Sequence, residues 1–167
     1  LIILIFTGIR SALNYLKVDM SDIGKKERET QNRIIKLFQK ELEYEYLGNW
    51  EERENNSNVE EELLTAYLTR KKYSPNLINK ALYAFGKAVN DQSKSLYDVN
   101  KEVYSMLRYG VNVQPETGHN KETVRLIDWE HPLENDFAIA EEVTIKGIYK
   151  KRPDIVLYVN GIALGVL

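Results

Sequence analysis

The chain has 167 residues, of which 29% are charged, with a formal net charge of −2 and no cysteine. That length suits one domain with a sizeable core, and the lack of cysteine excludes a disulfide framework and a thiolate zinc site. A net charge so close to zero gives no support to a nucleic-acid partner, so any DNA contact must come from local basic patches. The composition suits a reducing cytoplasm, which is the compartment we expect.

Residues 1–19 stand apart from the rest of the chain. They begin with an apolar run of about nine residues, which is too short to span a bilayer. A signal peptide would have a positive charge before this run and a small-residue cleavage site after it, and neither is present. Met20 resembles a natural start of translation. We therefore treat residues 1–19 as an extension of unknown role and expect no membrane association.

An amphipathic helix is predicted over residues 25–43. Its apolar stripe consists of Ile34, Ile35, Leu37, Phe38 and Leu42. Extended backwards by threes and fours, the same stripe reaches Gln31 and Glu27. Either the stripe fades in the first turn, where Glu27 suits the helix dipole, or both polar side chains face a functional cleft.

A strand over residues 44–50 follows, and then three more helices are predicted from their end signals. Each begins after a capping residue, at Asn58, Ser74 and Ser95. Pro75 occupies the first helical position of the second of these helices. Gly110 ends the third at a position that suits a left-handed backbone. Together they form a helical segment inserted before the remaining strands.

From Val111 onward the apolar pattern has a period of two, which is typical of strands. Strands are predicted over residues 111–113, 123–129 and 135–145, and a hairpin follows them. Helices that precede a run of strands indicate an α+β (α/β) fold, with flanking helices on one mixed sheet that all these strands share.

The hairpin occupies the end of the chain. Residues 155–159 are an unbroken apolar run, as in a strand buried on both faces. Asn160-Gly161 is a strong signal for a two-residue type I′ turn, in which both central residues need a positive φ. Residues 162–167 are again apolar, so the two runs predict paired antiparallel strands.

Asp154 lies at the mouth of this hairpin, directly after Pro153. A proline followed by aspartate is a common turn former, so Asp154 is interpreted either as a residue that shapes the strand entry or as a metal ligand. A carboxylate held between a proline and a stiff, buried strand can meet a hard cation with little reorganisation.

Pro153-Asp154, the apolar strand, the Asn-Gly turn and the second apolar strand resemble the nuclease site of the R subunit of type I restriction-modification enzymes. That site belongs to the PD-(D/E)xK nuclease superfamily. The resemblance extends back to about Gly24 and implies a restriction-endonuclease-like core over residues 20–167. In the family the second strand continues into Glu-x-Lys, and the chain ends just before the place where that motif would fall.

The resemblance implies a magnesium-dependent endonuclease that acts on double-stranded DNA. Asp154 would be a catalytic residue and a metal ligand, and Glu27 would be the acid that the superfamily often carries on its first core helix, with Glu29 as its rival. It also implies an ATP-driven motor elsewhere in the protein, and assembly with specificity and methyltransferase subunits. Four cations before the hairpin either contact DNA phosphates or belong to an exposed loop: Lys146, Lys150, Lys151 and Arg152.

Two other functions remain open at this point: a catalytically silent nuclease-fold module that binds DNA or partner subunits, and an unrelated α+β interaction domain. Residues beyond 167 discriminate between the first of these and the enzyme, since Glu-x-Lys would favour the enzyme. One carboxylate holds magnesium poorly, so we expect the 167 residues alone not to cleave DNA.

Overall fold

The computed structural model describes residues 27–116, 118–144 and 152–167, and only the backbone of Glu27. This part of the chain has four α-helices: α1 (Glu27–Lys40), α2 (Glu61–Arg70), α3 (Pro75–Val89) and α4 (Leu96–Tyr109). It has six strands: β1 (Glu45–Asn49), β2 (Val111–Val113), β3 (Glu122–Val124), β4 (Phe137–Glu141), β5 (Ile155–Val159) and β6 (Ile162–Val166). A short 3-10 helix covers Pro132–Glu134. The predicted α+β class is confirmed.

The larger sheet has four strands in the order β1-β4-β5-β6. β1 runs parallel to β4, whereas Ile155 and Leu167 exchange both of their backbone hydrogen bonds, as an antiparallel pair does. The sheet is therefore mixed, as predicted. β5 has a strand on each side and all five of its residues are buried, so the strand that begins after Asp154 is central.

The predicted hairpin turn is confirmed. Asn160 has a φ of 51° and Gly161 a φ of 81°, and this pair of positive values is what a type I′ turn requires. Gly161 is needed for a second reason, because a Cβ at this position would lie 2.6 Å from the backbone oxygen of Glu60. Glycine is therefore required here by conformation and by space.

The side chain of Asn160 is fully buried and does more than suit the turn. Its Nδ2 donates to the Leu126 backbone oxygen at 2.9 Å and to the Asn135 Oδ1 at 2.8 Å. Its Oδ1 accepts the Asp136 backbone N–H at 2.7 Å. The amide of Asn160 thus uses both of its N–H donors and its carbonyl oxygen to bond to the segments at 126 and 135–136.

The described chain divides into two compact units. The first consists of residues 27–56, the described part of Phe137–Leu157, and Leu164–Leu167. Its core contains Ile35, Phe38, Ile139, Ile155 and Leu157. Ile35 and Phe38 come from the predicted stripe of α1, so the helical periodicity identified the buried face correctly.

The second unit consists of Ser57–Asp136 and Tyr158–Ala163. The side chains of Ser74 and Ser95 cap α3 and α4 by accepting backbone N–H groups, as predicted. Gly110 follows α4 with a φ of 87°. The core of this unit comes mainly from α2, α3 and the two short strands, with members that include Leu64, Tyr67, Leu68, Ile78, Ala81, Phe85, Val111, Val124 and Leu126.

The predicted cap at Asn58 is wrong. α2 begins after Glu60, whose side chain makes no capping bond. The Asn58 carbonyl instead accepts the N–H of Ala163 at 2.9 Å, and Val59 forms an antiparallel bridge with Ile162. Pairing with the hairpin keeps this segment extended, so the helix starts later.

The predicted strand over residues 123–129 and the single sheet are also wrong. β3 stops at Val124 and pairs with β2 in a separate two-stranded sheet. The chain is bent at Leu126 and Ile127, and it turns again after them because the Asp128 carboxylate accepts the backbone N–H groups of Glu130 and His131. The strand predicted over 135–145 covers Phe137–Glu141, and residue 145 lies outside the described residues.

No helix in the described part of the chain is long and apolar enough to cross a membrane.

Substitution of Gly161 tests the fit of the turn. Gly118 is a matched control because its φ is 89° but a Cβ there would meet nothing within 4 Å. Alanine at either site should lower the unfolding free energy by about 1–2 kcal/mol, because the positive φ strains a residue with a Cβ. Gly161→Ala should lower it by about 1–3 kcal/mol more, because its Cβ would clash with the Glu60 backbone oxygen. Urea denaturation of both variants measures the difference, and equal losses would contradict the close approach.

Asp128 should make stability depend on pH. Its hydrogen bond from Lys71 Nζ (2.9 Å), followed by that from the His131 N–H, lowers its pKa to about 2. The carboxylate therefore stabilises the fold above its ordinary pKa of about 4, and this contribution is lost as the pH falls towards about 2.

Asp128→Asn should accordingly lower the unfolding free energy by about 1–2 kcal/mol at pH 7. The difference from the unsubstituted chain should shrink as the pH falls from about 4 to about 2. Glu122→Gln, at an exposed strand position, is the control and should show little effect at any pH. Urea titrations across this range decide the matter, and a gap of constant size would contradict the assignment.

Candidate active site

Two adjacent acids end the apolar strand β4. Glu141 is the last residue of the strand and is only 4% exposed. Glu142 follows with a φ of 54°. This left-handed conformation is uncommon in residues other than glycine, and such residues cluster at functional sites. Both acids lie in the first unit, as do the residues that contact them.

Glu141 is a buried carboxylate with two partners. Arg28 Nη1 on α1 lies 3.0 Å from its Oε2, and Tyr46 on β1 donates its hydroxyl to Oε1 at 2.6 Å. Burial and then the hydrogen bond to Glu141 raise the pKa of the Tyr46 phenol to about 12. Tyr46 therefore stays protonated near neutral pH and remains a donor to this carboxylate.

Glu142 is also held by cations. Arg152 Nε lies 3.0 Å from its Oε2, Arg28 Nη1 lies 3.7 Å from its Oε1, and Gln31 Nε2 donates to Oε1 at 3.1 Å. Arg152 forms a second ion pair with Glu51. The charges of Glu141 and Glu142 are thus balanced by the two arginines.

Asp154 lies immediately before β5, and its backbone is fixed by two bonds. Its carbonyl oxygen accepts from Gln31 Nε2 at 3.1 Å and from the Glu142 N–H at 2.9 Å. The residue itself is exposed, and its carboxylate makes no hydrogen bond or ion pair with the described side chains. An oxygen ligand on a fixed backbone therefore faces solvent at the end of the central strand.

The structure settles some sequence expectations and leaves others as predictions. Asp154 lies at the start of the central strand, and Gln31 is 7% exposed and turned inward, which supports the cleft interpretation for Gln31. The side chain of Glu27 lies outside the described residues. Arg152 is engaged by Glu51 and Glu142. Three further cations of the predicted phosphate-binding set also lie outside the described residues: Lys146, Lys150 and Lys151.

The network around the paired acids was not predicted from the sequence; it comprises Arg28, Tyr46, Glu141 and Glu142. A signal for it was available, because two consecutive glutamates directly after Phe-Ala-Ile-Ala place charge at the end of a buried strand. Such charges need partners. The identity of those partners depends on contacts between distant residues, such as Arg28 and Glu141, and no local pattern reveals them.

The described residues fit a magnesium ion in part. Asp154 supplies a hard oxygen ligand, the type that magnesium prefers. Glu141 and Glu142 are paired with arginines and are not available in the same way. Within the described ranges, no three acidic or histidine side chains cluster closely enough to hold a metal. Among the described acids of this strand end, Asp154 is thus the one whose carboxylate would be open to a metal.

Comparison with known proteins gave one finding. A family model described as the N terminus of the type I restriction enzyme R protein matches residues 24–167. No curated protein and no solved structure gave a significant match.

The ion pair between Arg28 and Glu141 yields a stability prediction. Arg28→Met leaves a buried carboxylate without its cation and should lower the unfolding free energy by about 2 kcal/mol. When Glu141→Gln is added, the double variant should lose clearly less than the sum of the single losses, because the two residues act as a pair.

Arg125→Met is the control for this cycle. Arg125 pairs with Glu130 in an ion pair whose side chains are 56% and 67% exposed, so solvent screens the pair and its loss should change stability little. Denaturant unfolding of the unsubstituted chain, the Arg28→Met and Glu141→Gln variants and the double variant measures the coupling, and Arg125→Met is unfolded alongside them. Additive losses for Arg28 and Glu141 would show that the pair is not a coupled unit.

Proposed function

The chain belongs to the family of type I restriction enzyme R protein N termini, and we propose that it is the DNA-cleaving endonuclease domain of such a protein. The observation that carries this proposal is Asp154, an exposed carboxylate at the start of a buried central strand with a backbone carbonyl held by two hydrogen bonds. Family membership supports the reaction class, and Asp154 provides a residue with the chemistry for it.

Asp154 would hold magnesium. When bound, such an ion polarises a phosphate and lowers the pKa of an attacking water. The chain contributes a fixed carboxylate, and Arg28 and Arg152 compensate the neighbouring glutamates. A cation that approaches this strand end would therefore meet, at Asp154, a carboxylate that pairs with none of the described side chains.

Glu27 is proposed as a second acid of the site, because α1 also carries Gln31 against the carbonyl of Asp154. One turn separates positions 27 and 31 on a helix, so the two share a face. Because Gln31 reaches the start of β5, a side chain at position 27 on the same face would be directed to the same end of that strand.

The cations before the hairpin are proposed as phosphate contacts. Arg152 pairs with Glu51 through Nη1 and with Glu142 through Nε. Neither of these two contacts uses Nη2, which could donate to a phosphate oxygen. Three lysines would add to this patch: Lys146, Lys150 and Lys151. Phosphate contacts of this kind position a duplex and carry no sequence information, so the DNA sequence would be recognised by another subunit.

The proposed partners follow from the family. They are double-stranded DNA and the specificity and methyltransferase subunits of a type I complex, with an ATP-driven motor elsewhere in the R protein and a cytoplasmic location.

Replacement of Asp154 tests the proposal. In the complete R protein, assembled with its partner subunits, Asp154→Ala and Asp154→Asn should abolish cleavage of supercoiled plasmid that carries the recognition site, because magnesium loses its anchoring ligand. ATP hydrolysis and assembly should remain nearly unchanged, since the carboxylate is exposed and outside the core.

Glu45→Gln, which removes another exposed acid of the same unit, is the matched control and should retain cleavage. Full cleavage by either Asp154 variant would overturn the proposal. Loss of folding in both variants would also count against it, because it would assign Asp154 the role of a turn-forming residue.

A further inference from the structure

Gln31 touches Asp154 at its backbone. It donates one hydrogen bond to the carbonyl oxygen of Asp154 at 3.1 Å and another to Glu142 Oε1 at 3.1 Å. We propose that Gln31 is a positioning residue that fixes the Asp154 carboxylate for metal binding. This inference rests on the proposed function and extends it to a residue that makes no contact with the metal itself.

The orientation of the Gln31 amide is determined by its neighbours. Its Oε1 accepts from Arg28 Nη1 at 3.1 Å, while its nitrogen faces two oxygens. A flipped amide would place its oxygen against the oxygens of Asp154 and Glu142 and its nitrogen against a guanidinium. Arg28 therefore keeps the donor directed at the Asp154 carbonyl.

A fixed carbonyl fixes the point of the backbone from which the Asp154 side chain projects. The peptide group is planar, so two donors that converge on the Asp154 oxygen hold the plane between residues 154 and 155. Pro153 restricts φ on the other side. The direction of the Cα–Cβ bond of Asp154 is then set by its backbone, so that only rotation about the side-chain bonds is left to restrain when a cation binds.

The backbone of Glu142 supports the same carbonyl. Its N–H donates to the Asp154 oxygen at 2.9 Å while its own φ is 54°. A left-handed conformation at a non-glycine residue costs about 1–2 kcal/mol. At Glu142 this cost is offset by the bond to the Asp154 carbonyl and by three contacts to the Glu142 carboxylate, from Gln31, Arg28 and Arg152. The pair of Gln31 and Glu142 thus forms a clamp on the start of β5.

The clamp predicts a loss of metal affinity when Gln31 is replaced. Residues that hold a metal ligand in place typically contribute 10- to 100-fold to metal affinity. Gln31→Met keeps the length of the side chain and removes its donor. Gln31→Glu keeps the shape and replaces the donor with an acceptor that faces two oxygens. We expect the dissociation constant for Mn²⁺ to rise about tenfold or more in both variants.

The experiment measures Mn²⁺ binding to the complete R protein by electron paramagnetic resonance, with cleavage as a second readout. Gln39→Met is the matched control, because Gln39 lies exposed on the same helix. In the Gln31 variants the magnesium concentration for half-maximal cleavage should rise, while the rate at saturating magnesium falls much less. The control should match the unsubstituted protein in both measurements.

The outcomes separate the two proposals. Full cleavage by Asp154→Ala overturns the proposed function. Loss of cleavage in Asp154→Ala together with unchanged Mn²⁺ affinity in a folded Gln31 variant overturns the positioning role alone.

A measurement on the unsubstituted R protein covers the case in which both Gln31 variants fail to fold. Metal binding to the clamped state should slow hydrogen exchange at the Glu142 amide, which donates to the Asp154 carbonyl. Unchanged exchange at saturating Mn²⁺ would overturn the clamp.

Discussion

The central strand β5 is fixed at both ends, and the placement of Asp154 depends on this constraint. At the turn, Asn160 and Gly161 adopt positive φ values, and the buried amide of Asn160 bonds to three separate backbone or side-chain groups. At the other end, the carbonyl of Asp154 accepts two hydrogen bonds. The five residues between are all buried. A shift of the strand by one residue in either direction would break both sets of bonds, and a shift towards the turn would bury Asp154 in the place of Ile155, so the strand has one favourable placement.

The features that the sequence predicted well are those that depend on neighbours along the chain. Asn160-Gly161 defined the hairpin because a type I′ turn needs two residues that tolerate a positive φ. Ser74 and Ser95 marked helix starts because their hydroxyls accept N–H groups only three residues ahead. The buried face of α1 followed from the spacing of Ile35 and Phe38. In each case the physical cause lies within one or two turns of chain.

The features that the sequence did not predict depend on distant partners. Asn58 has the side chain of a good cap, but hydrogen bonding to Ala163 keeps its segment extended. The parallel pairing of β1 with β4 joins residues more than ninety positions apart, such as Glu45 and Ala138. The position of Asp154 at the start of a central strand was predicted from its place after Pro153. The partners of Gln31 were not predicted, because Glu142 and Asp154 lie 111 and 123 residues away.

Charge compensation explains how three acids close in the fold can have different chemistry. Glu141 is buried, and pairing with Arg28 and Tyr46 offsets part of its desolvation cost. Glu142 is bound by Arg152, and its backbone rather than its charge acts on Asp154. Asp154 has a fixed backbone and an exposed carboxylate. The arginines thus reduce the negative field of the two glutamates, so a cation would be attracted chiefly to Asp154, the acid that we propose as the metal ligand. Gln31 contributes without adding charge, since a neutral donor can restrain the Asp154 carbonyl without competing with a metal for its carboxylate.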